Sequence, residues 1–343
     1  MSAPQRVQII GGGLAGLSLG VALRRAGVPV TIFEADDYPR HRVCGEFMCG
    51  LAETTVEQLG IGSALAGAGS PRGVTWFLRD RAIRRQTLPE PARAISRHVL
   101  DGRLAALFVA GGGELRTRTR RAPPADRTGW VETTGRRMRA ASPWLGLKLH
   151  ARNLALVDEL ELHLGDGAYV GLSPVEDGWI NVCGLFRRRT GLQLERENAL
   201  PAYLRACGLT DLAARLDDAR IRPESRKAMA GILVDRRVPA NPEPLQLGDS
   251  CAMISPFTGH GMAMAFIGSA LARDPLVAWA RGEHSWSETG RRIRDALRHE
   301  FRLRLGSAAL LHPFLLEPPL QRGLRVAARS GCLPLTALYH LLH

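Results

Sequence analysis

The sequence predicts an α/β protein: a mostly parallel sheet assembled from separated chain segments, an inserted antiparallel sheet, and a helical C-terminal tail. Three observations predict it. Residues 6–34 run strand, glycine turn, helix, strand, which is a βαβ unit with parallel pairing. Residues 143–187 change to short alternating runs (WLGLKLHA, LELHLG, AYVGLSPV, WINVCGLF) separated by GDG and EDG turns, the pattern of an antiparallel sheet. Residues 281–343 are basic, leucine-rich and helical in spacing. The expected layout is a discontinuous first domain over 1–142 and 240–280, a second over 143–239 to which 73–92 contributes, and a helical region over 281–343.

In chain order, Arg6 to Ile10 reads as a short buried strand. Leu14 to Ala26 reads as a helix with Leu17, Val21 and Leu23 at helical spacing, capped by Gly27. Val28 to Glu34 is the second strand. Residues 51–70 are expected to be helical, 73–87 a strand pair, Arg97 to Ala110 a helix closed by three glycines, and Glu114 to Thr119 a strand. Residues 195–218 return to helix, and Leu245–Leu247 is a late strand before a second glycine-bearing loop. Residues 250–272 carry no formal charge, but Pro256, Gly259, His260 and Gly261 interrupt them. About twelve residues of continuous helix remain, too few to span a bilayer, and these read as a buried helix.

Composition excludes several classes. The 343 residues are 45% apolar, an ordinary globular value. The net charge of +13 comes from scattered arginine; Lys148 and Lys227 are the lysines. Without a basic run or a basic stripe interleaved with aromatics, nucleic acid is not an expected partner. Cysteines 44, 49, 183, 207, 251 and 332 form neither a CxxC pair nor a zinc pattern, so no metal is expected and a reducing cytoplasm suits the chain. The N-terminus runs into glycines without a signal-peptide core.

The first glycine cluster fits G-x-G-x-x-G as Gly11-Gly12-Gly13-Leu14-Ala15-Gly16. The first glycine permits a tight turn, the second lets the backbone approach a pyrophosphate, and the third brings helix close to strand. The helix start offers amides and a positive dipole end to phosphates. Glu34, followed by Ala35, ends the second strand, where a carboxylate accepts bonds from a ribose. The fold class is therefore Rossmann-like and FAD/NAD(P)-binding.

The far end of the chain, LQLGDSCAMISPFTGHGMAMAF over 245–266, resembles the FAD-dependent monooxygenase and geranylgeranyl-reductase superfamily, which has the aromatic-hydroxylase fold. The match falls on Gly248-Asp249, Pro256, Gly259 and Gly261. The resemblance implies that Asp249 binds the flavin ribityl chain, while the amides at Gly261 and Met262 face the pyrimidine end of the ring. Two more segments are similar to this superfamily: Tyr38 to Phe47, with Pro39-Arg40, Arg42 and Cys44-Gly45-Glu46, and Ile95-Ser96-Arg97, whose arginine would reach the cofactor. The resemblance implies FAD, reduction by NAD(P)H, and hydroxylation or double-bond reduction of a hydrophobic small molecule. Where the superfamily usually carries Asp-Gly in mid-chain, this sequence has Thr134-Gly135, so residues for the nicotinamide are not assigned.

The 143–187 sheet is expected to supply the substrate chamber, with Trp144, Gly146, Lys148 and His150 on one strand face and Tyr169, Trp179, Asn181 and Cys183 on neighbours. Catalytic candidates are Cys44, Lys148, His150 and His260, and no acid or base is singled out, since flavin chemistry can proceed without one. Two alternatives stand beside this reading: a dithiol reductase using Cys44 and Cys49, and a flavin-binding protein without catalysis. The Trp-x-Trp-x-Ile-Pro signature of halogenases is absent. In the tail, nine arginines between Arg291 and Arg329 accompany leucines at 310–316 and 333–342. Packing on the first domain is preferred there over peripheral membrane contact, and prolines 313, 318, 319 and 334 are expected to divide the segment into short helices.

Overall fold

The computed structural model describes residues 3–136, 138–192, 195, 197–234, 238–239 and 244–329. A five-stranded sheet runs in the order Leu245–Gln246, Trp130–Glu132, Val7–Ile10, Val30–Phe33, Glu114–Arg116, with every pair parallel. The helix Leu14–Arg25 packs against both Arg97–Ala110 and Gly261–Ala280. Ile9, Leu17, Leu23, Ile32, Phe108, Val131 and Phe266 are buried together between these elements. The short strands survive because both neighbours satisfy their backbone and apolar burial covers their faces. Trp130–Glu132, which adds an inner strand, was not legible as one: three residues give no period to read.

The second sheet has seven strands, in the order Arg220–Ala230, Trp144–Arg152, Ile180–Arg187, Ala168–Pro174, Leu160–Gly165, Gly73–Leu78, Arg81–Thr87. It is mixed rather than purely antiparallel, because Gly73–Leu78 runs parallel to Leu160–Gly165. Arg220–Ala230 (RIRPESRKAMA) carries no apolar alternation. It pairs along Trp144–Arg152 with a register shift between Arg222 and Lys227, the charged and bulged form that edge strands take.

The helical expectations hold with local changes. Residues 51–70 form a helix only over Glu53–Leu59, ended by Gly60 at φ 69°, and a 3-10 turn over Gly62–Leu65. Residues 199–217 make two short helices, Ala199–Ala206 and Thr210–Asp217. In the tail Pro313 does not break the chain: it lies within one helix, Trp286–Leu316, followed by Pro318–Arg329. Ile293, Leu297, Phe301, Leu305 and Ala308 face inward along that helix and join the first core. The 333–342 leucines, Cys332 and Pro334 lie outside the described residues. Among the described residues no helix is long and apolar enough to cross a membrane.

Candidate functional site: a cleft between two helix N-termini

The ends of the parallel strands open into a cleft. Gly13, Leu14 and Ala15 line it at one helix start, Gly261 and Met262 at another, and Asp249, Pro256 and Gly259 between. Neither helix carries a side-chain cap at its N-terminus, so the first amides of both are left to whatever the cleft holds. Gly135 and Gly261 would project a Cβ into empty space, and a Cβ on Gly13 would meet nothing nearer than the Arg97 guanidinium at 4.0 Å. At Gly13 and Gly261 neither packing nor backbone conformation within the protein calls for a small residue, whereas Gly135 adopts φ 86°, a left-handed conformation that itself favours glycine. Gly16 is different: a Cβ there would lie 2.1 Å from the Gly11 carbonyl oxygen, so this glycine serves the close packing of helix on strand.

Glu34 lies beyond the cleft, 4% exposed. Its carboxylate accepts from the Gly12 amide at 2.7 Å and the Asp36 amide at 2.9 Å, and it pairs with Arg40 at 2.5 Å. Burial opposes its charge, but the Arg40 guanidinium and the two amides outweigh burial and hold the carboxyl below its usual range. The Tyr38 hydroxyl donates to the Gly12 carbonyl at 2.5 Å, so Tyr38 and Arg40 close over this end of the cradle. Ala35 is exposed and away from the cleft. Arg42 is at the edge, 3.2 Å from Asp36 and 3.8 Å from Glu34, and does not line the cleft either.

Arg97 lines the cleft with its guanidinium fixed by Asp101 at 2.6 and 2.9 Å, a fork that matches two carboxylate oxygens. Burial disfavours the cation, yet Asp101 raises its pKa further. Asp249 pairs with Arg136 at 2.9 Å. Arg136 and Thr133 also line the cleft, and sequence reasoning missed both; the only signal was their position flanking Thr134-Gly135.

Cys44 and Gly45 line the cleft, while Glu46 beside them is fully buried. Lys148 donates to Glu46 at 2.9 Å, His150 Nε2 lies 2.6 Å from its other oxygen, and the Arg97 amide donates at 2.9 Å. Burial would raise the Glu46 carboxyl, but the Lys148 charge and these bonds hold it down at about 2. Lys148 and His150 share a strand face as predicted, and both side chains grip Glu46. No residue of the seven-stranded sheet lines the cleft. His41, Glu46 and His150 also offer ligand atoms within 4.8 Å of one another. The Lys148 ammonium, 2.9 Å from Glu46 and 3.4 Å from His41, already takes the cation's place there.

His260 is fully buried and is not among the residues that line the cleft, although Gly259 and Gly261 on either side of it are. Cys49 is buried among Val74, Ala92 and Leu160, and burial pushes its thiol up to about 12. A thiol held neutral makes a poor redox partner for Cys44.

A family model for an NAD(P)-binding Rossmann-like domain matches residues 9–43. No curated protein matches the chain. Among solved structures, the p-nitrophenol 4-monooxygenase PnpA from Pseudomonas putida DLL-E4 is 14% identical, with a TM-score of 0.77 over 100% of this chain and 97% of that one. PqsL from P. aeruginosa, solved with 2-aminobenzoylacetate, is 16% identical with a TM-score of 0.72, covering 94% of this chain and 99% of that one. The flavin-dependent brominase Bmp2 is 16% identical with a TM-score of 0.72, covering 99% and 94%. The chain has the fold that these three proteins share.

Proposed function

We propose that this chain binds FAD in the cleft and is an FAD-dependent oxidoreductase, reduced by NAD(P)H, that hydroxylates a small hydrophobic organic molecule. The observation that carries this reading is the convergence of two uncapped helix N-termini, with Gly13 and Gly261, on one cleft. The amides of Gly13 to Ala15 and the Arg97 guanidinium suit a pyrophosphate and Asp249 a ribityl chain, while Glu34, beyond the cleft, holds the Gly12 amide and Arg40 at the end where a ribose would lie. FAD in this place supplies electron transfer from a nicotinamide to dioxygen or to a double bond.

The chain's own part is to bind, orient and exclude water. The start of helix Gly261–Ala280 favours negative charge at the ring end of the cleft. Phe47, Met253, Ile254, Pro256 and Met262 give apolar walls that suit an organic substrate. Hydroxylation is favoured by the solved relatives named as monooxygenases. Reduction of a double bond is the second reading, supported by the Tyr38–Phe47 segment and its likeness to the reductases.

The test is FAD titration of purified protein, followed by NADH or NADPH oxidation with a panel of aromatic and isoprenoid compounds, in air and without oxygen. Substrate-dependent oxygen uptake is expected. Turnover without oxygen would assign double-bond reduction instead. Protein that gains neither a flavin spectrum nor thermal stabilisation from FAD overturns the proposal.

A further inference from the structure

The segment Cys44–Gly45–Glu46 lies between the seven-stranded sheet and the cleft. From the sheet side, Asn181 Nδ2 donates to the Cys44 carbonyl at 3.0 Å and to the Gly45 carbonyl at 2.8 Å. Ser173 Oγ donates to the Gly45 carbonyl at 2.8 Å. Both side chains are at most 1% exposed. In a trans peptide the carbonyl and the following N–H point in opposite directions. The Gly45 and Glu46 amides are therefore turned away from the sheet, toward the side on which Cys44, Gly45 and Phe47 line the cleft. Among the described residues neither amide has a protein acceptor. Glu46 adopts φ 57°, unusual for a residue with a side chain. Successive amides beside such a left-handed residue form a concavity that accepts anions.

What holds Glu46 in that conformation is its buried carboxylate, fixed by Lys148, His150 and the Arg97 amide. The chain has two lysines among its forty-six cationic side chains, and this one is buried in full contact with Glu46. We propose that Asn181, together with Lys148 and His150 acting through Glu46, positions the Gly45 and Glu46 amides as a donor pair for a negatively charged oxygen or nitrogen on the group bound in the cleft. These are positioning residues: they touch the loop and not the bound group. The inference rests on the FAD reading and names a way in which this chain would favour the reduced, anionic form of the cofactor over the oxidised one.

Two variants test it: Asn181→Leu, which removes the donor to both carbonyls, and the paired Lys148→Met with Glu46→Gln, which removes the ion pair without stranding a buried charge. The readouts are FAD affinity by titration, the two-electron midpoint potential of bound FAD, and Tm. Each variant is expected to bind oxidised FAD within a few-fold of wild type but to lower the midpoint potential. A tenfold loss of preference for the reduced form corresponds to about 30 mV. A lower Tm with an unchanged potential in whichever variant folds would make the cluster a structural joint alone and overturn the proposal. Wild-type protein that takes up no FAD would overturn the cofactor reading and this inference with it.

Discussion

Arg136 Nε lies 2.9 Å from Asp249 Oδ2, and both side chains line the cleft. The pair joins the loop after the inner strand Trp130–Glu132 to the loop after the edge strand Leu245–Gln246, so it spans neighbouring strands of the parallel sheet. Asp249→Ala should weaken FAD, because it removes hydrogen bonds from a charged acceptor and leaves Arg136 without its partner. Bonds of this kind contribute roughly 1.5–3 kcal/mol, which corresponds to about tenfold or more in affinity. Fluorescence titration with FAD is the check, and wild-type affinity would move the cofactor elsewhere.

Glu34→Ala should weaken FAD by a similar factor, about tenfold or more for loss of a charged acceptor. Glu34→Gln is the informative companion, since it keeps an acceptor for the Gly12 amide while removing the charge that pairs with Arg40. A smaller loss in Glu34→Gln than in Glu34→Ala is expected by isothermal titration.

Acid should destabilise the protein in two stages. His41 is lowered to about 3 by burial and by the neighbouring Lys148 and His150, and His312 to about 4 by burial. The unfolded chain then binds more protons than the folded one below about 6.5, so stability falls as pH drops from there toward 4. Glu46 and Glu161 are both held at about 2, well below the ordinary 4.5 of a glutamate. Their stabilisation is complete above 4.5 and is lost as pH falls from 4.5 toward 2. Thermal melts across pH 7 to 3 should show the first decline already between 6.5 and 5. A flat Tm over that interval would contradict the buried, neutral state of the two histidines.

Phe301→Ala should destabilise by about 3–5 kcal/mol, the range for deleting a buried aromatic ring, since Phe301 packs in the first core. Leu303, two residues on, is 62% exposed, and Leu303→Ser should change stability by less than about 0.5 kcal/mol. Urea unfolding distinguishes them. The inward face of the helix agrees with packing as the use of its leucines, although Leu303, Leu310 and Phe314 are exposed on it. Co-sedimentation with anionic and neutral vesicles, at low and physiological salt, is expected to leave the protein in the supernatant.

Cys49→Ser should leave NAD(P)H-driven flavin reduction intact, because its thiol is buried and neutral at working pH. A long-wavelength thiolate–flavin band on reduction of the wild type, lost in Cys49→Ser, would revive the dithiol reading.

The glycine cluster and the carboxylate at Glu34 could be read from the sequence because their chemistry is local, whereas the Gly248–Met262 loop was read through its resemblance to a family. A tight turn and a helix start fall within a few consecutive residues, and the acid ends the next strand of the same βαβ unit. The same holds for the helix Arg97–Ala110, where Ser96 caps the first turn by accepting from the Val99 amide and glycines close the last. Sequence also gave the two sheets their separate characters through continuous and alternating burial. It could not place Trp130–Glu132 or Arg220–Ala230, whose strand form comes from the neighbours they pair with and not from their own pattern. Nor could it tell that Lys148 and His150 turn toward Glu46, more than one hundred residues away, or that Arg136 meets Asp249. Period-two alternation says which side chains share a face of a strand. Only the packing of a sheet against a loop distant in sequence decides what that face touches, because a buried charge takes its partner from whatever the tertiary fold brings within reach.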